Sequence, residues 1–140
     1  MAAADDMKVP LQISRDCVVA SIQVDLSFGV LSRFQTDLLE ALQSSGAAGV
    51  ILDLSGVTVL DRHEFAALQR TMDMARLMGA RSIVAGVNAG VVSSLVELGV
   101  ETDGIEAALD LDHAFTMMES APSRNDEDGE DEPAGPSTAS

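Results

Sequence analysis

The sequence predicts an α/β fold in which a mixed β-sheet of four to five strands packs against about four helices. Two apolar runs, "GVILDL" and "RSIVAGV", are typical of strands that are buried on both faces, as parallel strands are. Each run is followed by a stretch with the three-and-four spacing of a helix. Because strands that alternate with helices of this length pair through right-handed crossovers, most of the sheet should be parallel.

The amino-terminal strands should form the antiparallel part of the sheet. "LQI" and "CVVASIQV" predict two short strands, because β-branched residues dominate them. The polar "SRD" between them indicates a hairpin, which makes the sheet mixed.

The helices follow in order along the chain. "VLSRFQTDLLEALQSSG" predicts the first helix, with a stop at Gly46 and one apolar face formed by Leu31, Phe34, Leu38 and Leu42. "EFAALQRTMDMARLMG" predicts the second, with a stop at Gly79 and a stripe formed by Phe65, Leu68, Met72 and Ala75. "AGVVSSLVELG" and "LDHAFTMMES" predict the third and fourth, and a weak strand near "GIEAAL" precedes the last one.

Composition limits the classes of partner. The chain has 140 residues, 3% aromatic residues and no Trp or Tyr, so aliphatic side chains must fill the core and base-stacking platforms are missing. Its formal charge of −15 disfavours nucleic acid phosphates and anionic membrane surfaces. Proteins or small molecules fit better as partners.

The chain divides into three parts. We expect a flexible amino terminus over residues 1–7, one folded domain over residues 8–120 and a disordered acidic tail over residues 121–140. The tail carries six acidic residues and one basic residue, and it fits either a solvating role or a docking role.

Localisation follows from what the sequence lacks. Cys17, the single cysteine, excludes an internal disulfide and a cysteine-based zinc site, and its apolar surroundings predict a buried, reduced thiol. The sequence shows no export signal and no run of the roughly 18 apolar residues that span a bilayer. We therefore expect a soluble cytoplasmic protein.

Four ionisable residues, "DRHE", stand where the second helix begins. Asp61 and Glu64 have the spacing of a capping box, which contributes about 1 kcal/mol. Arg62 opposes the helix dipole, which hints that its side chain serves something outside the helix. Alternatively, the two acids simply neutralise it on a solvated surface.

Few features of this cluster support a catalytic role. His63 has only His113 as a second histidine, and no serine or cysteine stands in a nucleophile frame, so an exposed loop histidine is the better interpretation. Asp53, Asp61 and His63 match no metal-ligand spacing, and phosphate-binding glycine motifs are absent. We expect no catalytic residue, no metal and no cofactor.

The second helix also has apolar residues opposite its core stripe. Counting 100° per residue places Ala67, Met74, Leu77 and Met78 mostly on that side. They indicate either a protein contact or a broad core face or dimer packing.

Three stretches carry a family resemblance. "VILDLSGVTVLD" followed by a helix resembles the STAS (sulfate transporter and anti-sigma antagonist) family. "VPLQISRDCVVASIQVDLS" and "GVNAGVVSSLVELGVETDGIEAAL" resemble its RsbS-type stressosome scaffold proteins, so the resemblance covers about residues 8 to 118. It implies helices mainly on one side of the sheet, no enzymatic activity, and an oligomeric cytoplasmic assembly with RsbR-like scaffolds. It also implies partner switching with an RsbT-like serine kinase.

The resemblance implies a site and also a departure from it. The family's phosphoacceptor is a serine directly after the aspartate at the helix start, and here that position is Arg62. We expect no phosphorylation at this turn, although Ser55 and Thr58 are nearby hydroxyls that could have taken over. The expected partner-binding residues are Asp61, Arg62, His63, Glu64 and Met74.

Two other readings stay open. The chain could be a lone anti-sigma factor antagonist, which would share the fold and the binding surface. It could also be a small enzyme or nucleotide-binding module that uses Asp53, Asp61 and His63 at the strand ends.

Overall fold

Five strands form one sheet in the computed structural model, which describes residues 8–23, 26–100, 102 and 104–120. The strands are β1 (Leu11–Ser14), β2 (Cys17–Ser21), β3 (Gly49–Asp53), β4 (Arg81–Ala85) and β5 (Glu106–Ala108). They lie in the order β1-β2-β3-β4-β5, with β1 antiparallel to β2 and the other pairs parallel. The predicted mixed α/β sheet is confirmed, and the weak strand near "GIEAAL" is the three-residue β5.

The amino-terminal hairpin is tighter than the sequence suggested. Arg15 and Asp16 alone form its turn, with φ of 52° and 65°, the left-handed geometry that two-residue hairpin turns require. Strand β2 ends at Ser21, where its partner β3 ends at Asp53. The predicted longer strand therefore stops early, although Ile22 beyond it stays buried.

Four helices accompany the sheet in the described part of the chain. They are α1 (Phe28–Ser45), α2 (Arg62–Leu77), α3 (Ala89–Glu97) and α4 (Leu111–Glu119). Helix α1 begins at the N-cap Ser27 and ends at Gly46, whose φ of 69° provides the left-handed stop that the sequence predicted. The predicted apolar stripes of α1 and α2 are buried.

The helices lie mainly on one face, as expected. Each parallel step moves one strand further in the same direction, so right-handed crossovers place α1, α2 and α3 on the same side. Their buried side chains form the larger core with the sheet. Helix α4 covers the other face, where Phe115 and Ala114 pack against Ile51 and Ile83.

Cys17 lies in the smaller core and is buried. Burial raises the pKa of its thiol, and the neighbouring Asp16 carboxylate adds to the shift. The predicted flexible amino terminus and acidic tail lie outside the described residues. Within those residues, no helix combines the length and apolar character that crossing a membrane takes.

Candidate functional site

The parallel strands place their carboxyl ends at one edge of the sheet, which we call the carboxyl edge. It comprises the segments that follow β2, β3, β4 and β5 and the first turns of α1 to α4. In open α/β sheets, binding sites form at this edge. The "DRHE" cluster lies there because it directly follows the loop after β3.

The loop between β3 and α2 is held by hydrogen bonds near its start and at its middle. The Ser55 amide donates to Asp53 Oδ1 at 3.0 Å, and the Asn88 side chain donates to the Val57 carbonyl at 2.6 Å. Asn88 also caps α3 by accepting from the Val91 amide at 3.1 Å. The N-cap of one helix therefore fixes the loop that leads into another.

Gly86 brings a second segment close to this loop. A Cβ atom at this position would lie 3.0 Å from Ser55 Cβ, and its φ is 74°. A residue other than glycine would have to displace the loop here, because both space and backbone geometry disfavour a side chain.

The start of α2 has the predicted capping box. The Glu64 amide donates to Asp61 Oδ1 at 2.7 Å, and the Asp61 amide donates to Glu64 Oε1 at 3.0 Å. Each residue satisfies a backbone donor of the other, so the prediction from spacing is confirmed. The first turn of α2 is therefore fixed while Asp61 stays exposed to solvent.

Arg62 serves a neighbouring helix. Its guanidinium donates to the carbonyl of Leu98, the C-cap residue of α3. The carboxyl end of a helix carries partial negative charge, so this contact compensates for the unfavourable position of the cation in the first turn of α2. The hint that Arg62 acts outside its own helix is confirmed, and its partner lies 36 residues away.

Exposed apolar side chains flank this turn, and the sequence analysis missed them. Val59 is 78% exposed and Phe28, the first residue of α1, is 80% exposed. A pocket of about 320 Å³ lies beside Val59, lined also by Leu26, Thr58 and Asp61. The signal that could have found these residues was a large apolar side chain outside any helical stripe or strand.

His63 lies on the second residue of α2 rather than in the loop, and it is exposed. It lines a groove of about 160 Å³ between α1 and α2, together with Phe28, Gln35 and Arg70. The groove adjoins the exposed start of α2, so the two together form one surface that extends along both helices.

The apolar residues that were predicted to lie opposite the core stripe of α2 differ in exposure. Leu77 and Met78 are exposed, at 89% and 46%, whereas Ala67 and Met74 are half-buried. Ala67 packs against the larger core, which fits the interpretation of a broad core face, whereas exposed Leu77 and Met78 fit that of a protein contact. Met74 also lies 12 residues along the helix from Arg62, about 18 Å, so the structure does not bring it to the carboxyl edge.

The candidate chemistry at Asp53, Asp61 and His63 does not come together. Asp53 accepts from the loop and Asp61 caps α2. In the described ranges, no three His, Cys, Asp or Glu side chains are placed to hold a metal ion. What the edge presents is a fixed backbone with exposed charged and apolar side chains.

Comparisons with known proteins agree with this architecture. A family model described as the STAS domain matches residues 8–114. Among solved structures, a glutamate-substituted variant of RsbS from Moorella thermoacetica is 25% identical, with a TM-score of 0.67. The match covers 77% of this chain and 92% of that one.

Two further structures show the same fold. One is a chain in the molecular architecture of the stressosome, a signal integration and transduction hub, with 24% identity, a TM-score of 0.68 and coverage of 76% and 93%. The other is a putative anti-sigma factor antagonist from Thermotoga maritima, with 18% identity, a TM-score of 0.62 and coverage of 77% and 92%. No curated protein matches the sequence.

Proposed function

Because this chain belongs to the STAS domain family, we propose that it is a non-enzymatic regulatory scaffold of a bacterial stressosome. In this proposal it assembles in the cytoplasm with further copies and with RsbR-like scaffold proteins. It holds an RsbT-like serine kinase as part of a partner-switching stress response. The likeness to RsbS, which extends over 92% of that protein, supports this choice within the family.

The observation that carries the proposal is the fixed and exposed start of α2. Its capping box and the Asn88 contact hold the turn before any partner arrives, so little conformational entropy is lost on binding. Val59 and Phe28 offer apolar area for contact. Asp61, His63 and Glu64 offer charge and polarity that can select among partners.

Arg62 keeps this turn of the scaffold in a single, unphosphorylated state. The position that matches the family's phosphoacceptor serine has no hydroxyl, and its +1 charge is opposite to the roughly −1.5 to −2 of a phosphate group. We therefore propose a subunit that stays unphosphorylated at this turn, while its guanidinium ties α2 to α3.

Incubation with the RsbT-like kinase of the same genome and ATP tests this proposal, with phosphate located by mass spectrometry. The wild-type protein should stay unmodified, and Arg62→Ser should become phosphorylated at residue 62. The matched control is Arg70→Ser, which changes an exposed arginine further along α2 and should stay unmodified. Phosphate on Ser55 or Thr58 of the wild type would contradict a permanently unphosphorylated turn, since one of these residues would then have become the phosphoacceptor.

A second candidate is a lone anti-sigma factor antagonist, which the likeness to the Thermotoga protein favours. Both candidates share the fold and would use the same edge. Light scattering with co-expressed partners separates them. A large particle that contains RsbR-like proteins supports the scaffold, whereas a small complex with a kinase that grips a sigma factor supports the antagonist.

A further inference from the structure

Helix α3 differs from the other helices in the side chains it exposes. Val91 and Leu95 face the core, while Ala89, Val92, Ser93 and Val96 form an outward stripe at positions i, i+3, i+4 and i+7. Val92 is 47% exposed and Val96 is 68% exposed. All four side chains of the stripe are therefore small or aliphatic.

An apolar groove continues this stripe. It has a volume of about 270 Å³ and lies between α3, the start of α2 and β5. The side chains that line it include Val92, Val96, Phe65, Ile105 and Ala107. We call the stripe and this groove the α3 surface.

Among the described residues, those that form the α3 surface carry no charge, although the chain as a whole is strongly charged. The charged residue of α3 is Glu97, its last position, beside the stripe. The other helices carry charges along their length, among them Arg33, Asp37, Glu40, Arg70, Asp73, Arg76, Asp112 and Glu119. The whole chain has a net charge of −15, so two copies repel each other, and a contact between them costs least where neither contributes charge.

We propose that the α3 surface is an isologous interface between two copies of this chain. The inference rests on the self-association that the proposed function includes, and it places that contact on α3 and on the groove beside it, which reaches Phe65 in the first turn of α2. Across a two-fold axis the two α3 helices would run antiparallel. Each Glu97 then lies towards the amino end of the other helix, where negative charge is favourable, and Ala89 and Gly90 let the backbones approach.

A second copy fits this surface better than a charged partner does. A basic protein would gain more from the acidic surfaces elsewhere, and an acidic protein finds no cation in the stripe. The same argument predicts an unusual dependence on salt. Because salt screens the repulsion between the copies, association should strengthen from low to moderate ionic strength, the opposite of an interface held by ion pairs.

Two matched pairs of variants of the full chain test the interface. Val96→Glu should weaken self-association at least about tenfold in sedimentation equilibrium. Leu77→Glu, at an even more exposed aliphatic residue on α2, should leave it unchanged. Ser93→Cys should form a disulfide-linked dimer on mild oxidation, whereas Ser44→Cys on α1 should not. The native Cys17 is buried and gives little background.

The interface is refuted by a monomeric wild type at every salt concentration, by equal effects of the two glutamate variants, or by association that salt weakens. Kinase binding is measured on the same variants. If the wild type is monomeric and still binds the kinase, the α3 interface fails and the kinase-binding part of the proposed function stands. If the dimer forms through α3 but the kinase does not bind, the proposed function fails and the interface stands.

Discussion

The two edges of the sheet use their polar groups in opposite ways. At the amino edge, opposite the carboxyl edge, Arg81 donates to both carboxylate oxygens of Glu106, at 2.9 and 2.7 Å, and to the Met117 carbonyl at 2.9 Å. One side chain thereby joins β4, β5 and α4. At the carboxyl edge, the capping box joins residues only three positions apart and leaves Asp61 exposed.

The larger depression and the exposed start of α2 lie at opposite edges of the sheet. The amino edge contains the larger depression, about 490 Å³, lined by Arg15, Cys17 and Phe115 among others. Its walls are tied to each other: Arg15 lies over the Phe115 ring at 4.7 Å, and a Cβ at Gly49 would lie 2.7 Å from Met118 Sδ. The comparison teaches that the polar groups of the amino edge are used up in contacts within the fold, while the carboxyl edge leaves charged and apolar side chains exposed.

The largest expected effect comes from breaking the amino edge. Arg81→Ala should lower the free energy of unfolding by about 1–3 kcal/mol, because the half-buried Glu106 carboxylate and the Met117 carbonyl lose their donor. Denaturant unfolding measures this change. Arg76→Ala removes an exposed ion pair with Asp73 and should cost less than about 1 kcal/mol. Equal losses would mean that the Arg81 network has no special role.

A smaller effect separates stability from binding. Asp61→Ala should lower the free energy of unfolding by about 1 kcal/mol, because α2 loses its cap, and it should also weaken partner binding. Asp110→Ala removes the cap of α4, where Asp110 Oδ1 accepts from the His113 amide at 2.8 Å. It should cost about the same stability without affecting the partner, because α4 lies on the other face of the sheet from α2. If both variants bound equally poorly, the loss would reflect stability alone.

The smallest effect concerns Cys17 and high pH. Burial, with a contribution from Asp16, raises the pKa of the folded thiol, so the unfolded thiol ionises first as pH rises. The resulting stability is complete below the unfolded pKa of about 8.5 and falls above it, by at most about 1.4 kcal/mol per pH unit. Urea unfolding between pH 7 and pH 9.5 should show this decline in the wild type and a flatter profile in Cys17→Ala. Parallel profiles would exclude the thiol as the cause.

Local sequence patterns predicted most of the fold because their causes are local. The stripe of α1, its stop at Gly46 and the capping box of α2 all depend on residues within a few positions of each other. The family resemblance, by contrast, predicted that the start of α2 is the partner-binding site, and that stays a prediction.

What the sequence could not predict depends on distant neighbours. Leu98 accepts from Arg62 across 36 positions, and Val57 accepts from Asn88 across 31. Ala67 lines a groove between α2 and α1, a neighbour that a helical projection of α2 alone does not contain. Exposed Phe28 and Val59 were missed because residue type alone predicted burial for them.

Calorimetric titration of the RsbT-like kinase tests most directly whether the carboxyl edge is the docking face. The double variant Phe28→Ser, Val59→Ser changes two exposed side chains and should fold normally. The account predicts that it binds at least about tenfold more weakly than the wild type, while Leu77→Ser at the far end of α2 binds as the wild type does. Equal affinities for all three proteins would contradict it.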